Sequence, residues 1–164
     1  KGFDGTDTAD AVSRAERAKT YEGDGMVVYD DRSICTHAGF CGTATTNVWK
    51  LIAATGDTNV RIQVAAMVER CPSGALSYAV VETGAAGETQ DRRDIEPDLP
   101  PQIAVTPDGP LWVTGAVPVE TSSGALLEAR NRVTLCRCGT SANKPLCDGS
   151  HKKAGFVHGP SGVA

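Results

Sequence analysis

Aromatic residues are scarce in this chain: three Phe, three Tyr and two Trp, 5 % of 164 residues. Large aromatic anchors therefore cannot fill a single big core. No stretch approaches the roughly 18 consecutive apolar residues of a membrane span, so no membrane partner is expected. No apolar signal-type core follows Lys1, and a cytoplasmic setting is the expectation. An excess of positive charge is missing too. Sixteen Lys and Arg stand against 20 Asp and Glu, giving a net charge of −4 and a pI near 5.3, which argues against a nucleic-acid partner. The chain shows no Ser/His/Asp grouping, phosphate loop or dinucleotide fingerprint, so an enzyme is not expected.

Turn-forming residues and cysteines are what the chain does have. Eighteen Gly and nine Pro suggest small, loop-rich units of the kind that bound metal often holds together. The six cysteines occupy positions 35, 41, 71, 136, 138 and 147. They are clustered beside His and Cys-Pro signals, and a C-x-C pair is poorly placed for a disulfide, so a disulfide framework is not expected. Charge is uneven along the chain. Residues 1–31 hold eight acids and four bases, whereas 130–153 hold six bases and one acid, Asp148. A basic collar suits a segment that gathers negative thiolates, although ordinary surface scatter accounts for it about as well.

The pattern predicts an α+β chain in two small parts. Residues 1–22 read as an arm with a short helix over 8–19. Residues 23–82 read as one domain, with a strand at Met26–Tyr29, a helix from a capping Asn59 to about Glu69, and a strand over Leu76–Val81. Cys71-Pro72 stops the helix. Residues 83–101 lack apolar periodicity and read as a linker. Residues 102–164 read as a β-rich unit with strands at Ile103–Thr106, Leu111–Thr114, Val117–Glu120 and Arg132–Leu135, broken by strong turn signals.

The densest constellation runs from Cys136 to His151: Cys136-Arg-Cys138-Gly-Thr-Ser141-Ala-Asn-Lys-Pro145-Leu-Cys147-Asp148-Gly149-Ser150-His151. An extended turn can aim Cys136 and Cys138 at one metal. Cys147 and His151 are four apart and share one face of a helical turn. Gly149 permits a tight backbone, and Asp148 can cap the turn. On spacing alone a Cys3His zinc site and an iron–sulfur site are nearly equally supported, although C-x-C is the less usual zinc spacing.

This stretch resembles the signature of the CDGSH iron–sulfur (NEET-type) family, C-x-C-x2-[ST]-x3-P-x-C-D-G-[ST]-H, with every fixed position present. The resemblance implies a [2Fe–2S] cluster on Cys136, Cys138, Cys147 and His151. Ser141, Pro145, Asp148, Gly149 and Ser150 fill the remaining motif positions around it. It also implies a small β-rich fold, often a homodimer, and roles in electron transfer or cluster donation. An imidazole ligand must stay unprotonated, and free His has a pKa of about 6.5. Cluster absorbance is therefore expected to decay in mild acid as His151 is protonated. His151→Cys should move that decay; decay at the same pH and rate as the wild type would refute a role for His151. Arg137, Lys144, Lys152 and Lys153 are expected to raise the potential by offsetting cluster charge.

The second constellation is Cys35-Thr-His37-Ala38-Gly-Phe-Cys41 followed by Cys71-Pro72-Ser-Gly-Ala-Leu. Its start resembles the first box of a Rieske protein, but no second His follows soon after Cys71, the other histidines being His151 and His158, so that reading fails. The C-P-S-G-A-L run resembles the ending of a bacterial ferredoxin, with Ala38 standing where the middle cysteine would be. The half from about Gly25 to Val81 thus looks like a divergent single-cluster ferredoxin fused to a CDGSH domain. Three cysteines favour a [3Fe–4S] cluster on Cys35, Cys41 and Cys71. A [4Fe–4S] cluster would need His37 or an outside ligand, and a cluster-free ferredoxin remnant is the third option. The functional expectation is electron transfer between redox partner proteins. The alternatives are cluster storage, transfer to acceptors or redox sensing through the labile His-ligated cluster, and a zinc-stabilised interaction module.

Overall fold

The computed structural model describes residues 14–82, 91–95 and 98–158. After a single helical turn, α1 (Arg14–Arg17), a hairpin of β1 (Lys19–Gly23) and β2 (Met26–Asp30) turns through Asp24-Gly25. The two-residue connection and the Gly23↔Met26 register fit a tight hairpin. Next come α2 (Val48–Leu51), a 3₁₀ turn at Ile52–Ala54 and α3 (Thr58–Glu69). β3 (Leu76–Glu82) then pairs antiparallel with β2, and β4 (Asp91–Ile95) pairs with β3, so the sheet order is β1-β2-β3-β4. The second half is an antiparallel sheet of β5 (Gln102–Val105), β6 (Leu111–Thr114) and β7 (Arg132–Leu135). A last helical turn, α4, covers Ser150–Lys153. The α+β expectation holds.

The structure differs from the sequence reading at identifiable places. The N-terminal part of the expected 8–19 helix lies outside the described residues. Lys19–Gly23, expected as the end of an arm running to residue 22 followed by a turn from Gly23, is a strand of the first sheet. Asp91–Ile95, expected in the linker, adds a strand to the same sheet. Both are edge strands, where partner hydrogen bonds outweigh weak apolar alternation. Asp57, not Asn59, caps α3: its carboxylate accepts from the Asn59 N–H at 2.7 Å. Val117–Glu120 is not a strand; it makes one isolated bridge, Glu120↔Leu126.

Two cores follow from these elements. Met26, Val28, Leu76 and Tyr78 of the first sheet pack on Val48, Ile52, Val64, Met67 and Val68 of the helices. The second core crosses the halves: Ile34 and Ala75 bury against Val113, Val133 and Leu146. The chain therefore does not fold as two independent beads.

Asp31 ties that junction. Fully buried, its carboxylate receives Arg17 at 3.0 Å and Arg130 at 2.9 Å from opposite ends of the chain. Burial alone would raise its pKa. Hydrogen bonds from Ser33 and Arg17 and the charges of Arg17 and Arg130 outweigh this and hold it below the usual carboxylate value. A lowered native pKa means that the unfolded chain binds this proton more tightly. Asp31 therefore stabilises the fold above the unfolded value of about 3.9, and that contribution disappears as pH falls through the lower native value. Asp31→Asn should cost about 3 kcal/mol at neutral pH. The gap in urea midpoint between variant and wild type should narrow below about pH 4; a gap independent of pH would contradict this.

Candidate metal centres

The C-terminal ligand segment folds back on its own strand. The Cys136 N–H donates to the Pro145 carbonyl at 2.8 Å, and the Cys147 N–H to the Thr134 carbonyl at 2.9 Å. This stitches 145–147 alongside the end of β7, with a cis Lys144–Pro145 peptide in the return. Ser141 is buried and donates to the Leu146 carbonyl at 2.6 Å, while its oxygen accepts from the Asn143 N–H. Asp148 accepts from the Ala142 N–H and the Ser150 N–H, each at 2.9 Å. It thereby closes both the ligand loop and the turn into α4. Gly149 begins that turn at φ 85°, a conformation that favours glycine.

Four donor side chains gather there as two pairs. Cys136 Sγ and Cys138 Sγ are 3.8 Å apart, and Cys147 Sγ lies 3.4 Å from His151 Nδ1. Two thiolates at about 2.3 Å from one tetrahedral metal would be about 3.8 Å apart, and a thiolate–imidazole pair about 3.5 Å apart. Both pairs therefore match two ligands per metal. His151 Nδ1 is the ring nitrogen turned towards this site.

The local electrostatics differ between ligands. Burial pushes the Cys147 thiol up to about 11, helped by the negative charges of Cys136, Asp148 and Cys138. Metal binding must therefore displace a proton there. Burial acts in the same sense on Cys138, but hydrogen bonds from Thr140, whose Oγ1 is 3.0 Å away, and from Cys136 pull its pKa down instead. Burial, and then the Lys152 charge, lower the His151 pKa and so favour the neutral imidazole that a metal needs. Arg137 is held beside the site by the Gly109 and Thr106 carbonyls at 2.9 and 2.7 Å, with its guanidinium over Phe156.

The N-terminal cysteines line one pocket. Cys35 and Cys41 come from the loop after β2, and Cys71 from the turn after α3; Ala38, Phe40, Pro72 and Ser73 share the wall. Arg32 supplies positive charge: it lies 3.8 Å from Cys35 Sγ and stacks over Trp49. The His37 N–H donates to Cys35 Sγ at 3.4 Å. The His37 ring is not in the cavity wall; it sits against Gly149 of the other site. All six cysteines lie among the described residues, and none is in a disulfide.

Sequence reasoning missed Arg32, Thr36, Arg132 and Thr140. Arg32, Thr36 and Thr140 each stand within three residues of a site cysteine and so carried a local signal, whereas Arg132 reaches Cys71 only through folding.

Two sulfur-rich sites of different geometry on one body define a metal–thiolate protein. Residues 108–152 match the family model described as iron-binding zinc finger CDGSH type, and residues 21–81 match that of the divergent 4Fe-4S mono-cluster. The chain is an iron–sulfur protein that fuses these two kinds of unit. No curated protein and no solved structure matches it. Among the described residues no helix is long and apolar enough to cross a membrane.

Proposed function

We propose that this chain is an electron carrier in which a [2Fe–2S] site (Cys136, Cys138, Cys147, His151) exchanges electrons with a [3Fe–4S] site (Cys35, Cys41, Cys71). The observation that carries this reading is that the two ligand loops touch. A Cβ on Gly149 would lie 2.8 Å from the Thr36 carbonyl oxygen, and Lys152 Nζ donates to the His37 carbonyl. Thr36 follows Cys35 directly, and Lys152 follows His151. Bound clusters would supply one-electron chemistry; the chain fixes their ligand loops and shortens the path between them.

Ala38 at the cavity wall, in the place of a middle cysteine, supports three irons over four. His37, turned towards Gly149, supports the same choice. His151 is only 7 % exposed, which favours retention of its cluster over donation to an acceptor. The partners would then be redox proteins, and the chain would not be an enzyme by itself.

Anaerobically purified protein should contain iron and acid-labile sulfide and show an oxidised [3Fe–4S] EPR signal. On partial reduction, spin–spin interaction should alter the relaxation of the reduced [2Fe–2S] signal. Zinc without sulfide would sink the proposal, as would two magnetically isolated clusters. Rapid delivery to an apo-ferredoxin would favour cluster transfer instead.

A further inference from the structure

Arg132 belongs to β7, four residues before Cys136, yet its side chain works in the other half of the molecule. It is buried at 4 % exposure. One terminal nitrogen, Nη1, donates to the carbonyls of Val68 (2.8 Å), Glu69 (2.7 Å) and Cys71 (3.0 Å), and Nη2 donates to Leu76 at 3.3 Å. Val68 and Glu69 end α3, so their carbonyls are among those a helix leaves without intrahelical donors, at its negative pole. Cys71 is a ligand of the proposed N-terminal cluster, and Leu76 begins β3.

The backbone of the same residue closes the other side of the loop. Gly74 has φ 64°, and a Cβ on it would come within 2.6 Å of the Arg132 carbonyl oxygen. The segment from Cys71 to Leu76 is thus held between the guanidinium and the main chain of one C-terminal residue. The loop's other backbone support comes from the Cys71 N–H to the Val68 carbonyl, the Gly74 N–H to the Cys71 carbonyl, the Ala75 N–H to the Ser73 hydroxyl oxygen, and the Asp31 N–H to the Ala75 carbonyl.

We propose that Arg132 is a positioning residue for the N-terminal cluster: its planar donor fork, delivered by the strand that leads to Cys136, fixes where Cys71 presents its sulfur. The CDGSH-type half is then part of the other site's construction, and the N-terminal half alone would hold its cluster poorly. A lysine keeps the charge but cannot spread donors over four carbonyls. This proposal rests on the reading that Cys35, Cys41 and Cys71 bind a cluster.

The experiment compares full-length wild type, Arg132→Met and Arg132→Lys, purified anaerobically. Each sample is read for the oxidised [3Fe–4S] EPR signal, for the visible absorbance of the CDGSH-type cluster, and for iron and sulfide per chain. The C-terminal cluster serves as an internal control for folding. Arg132→Met should lower the N-terminal signal about tenfold relative to that control, and Arg132→Lys should restore it in part. Wild-type ratios in both variants would overturn the proposal. So would equal loss of both clusters, which marks a general structural role. If Arg132→Met does not fold, Arg132→Lys decides by the same ratio: a selective loss supports the proposal and an unchanged ratio overturns it. A wild type without any N-terminal signal would overturn the underlying cluster reading, an outcome distinct from all of these.

Discussion

Ala38→Cys is expected to convert the N-terminal centre from three irons to four. The substitution restores a thiol midway between Cys35 and Cys41, giving the C-x2-C-x2-C run that bacterial ferredoxins use. Ala38 lies in the wall of the cavity that Cys35, Cys41 and Cys71 share, and it is exposed, so a sulfur can be added there without displacing core atoms. Anaerobic protein should lose the oxidised [3Fe–4S] EPR signal. It should gain a signal that appears only on reduction, together with one more iron per chain. Persistence of the oxidised signal with unchanged iron would show that Ala38 does not face the vacant corner. The visible spectrum of the C-terminal cluster should stay as it was, because Cys136, Cys138, Cys147 and His151 are untouched.

The second large effect is expected from Gly149→Ala. The φ of 85° by itself disfavours a side chain by roughly 1–2 kcal/mol. The added Cβ would also sit 2.8 Å from the Thr36 carbonyl oxygen and 3.3 Å from the His37 ring. Either the Thr36–His37 loop or the turn carrying Cys147 and His151 has to give way. Gly155→Ala is the matched control: its φ is also positive, at 60°, but nothing lies within 4 Å of its Cβ position. Cluster absorbance should decay faster in Gly149→Ala than in Gly155→Ala, and the spin–spin interaction between the clusters should weaken only in the former. Equal behaviour of the two variants would mean that the loop contact contributes nothing beyond backbone strain.

Local chemistry made much of this molecule legible in the sequence. β2, β3, β6 and β7 lie close to where strand composition and turn residues put them. Cys71-Pro72 follows the end of α3 because proline cannot continue a helix. The Cys136–His151 segment has its ligands, its glycine turn and its carboxylate cap within sixteen consecutive residues. Edge strands were harder to see. The sequence DRRDI has no apolar alternation, and β4 exists because β3 offers it a row of backbone partners. Lys19–Gly23 joins the sheet for the same reason, through the hairpin with β2.

The sequence by itself determined that two different thiolate constellations exist, which residues compose each, and that the middle position of the first is an alanine. Spacing along the chain and the chemistry of sulfur and imidazole are enough for that. Only the tertiary structure decided that the two sites are neighbours. Arg132 reaches back more than 60 residues to Cys71, Asp31 joins Arg17 to Arg130, and Gly149 lies against Thr36. These contacts depend on how Ile34 and Ala75 bury against Val113, Val133 and Leu146. Such packing between distant apolar residues has no period or spacing that could announce it in advance.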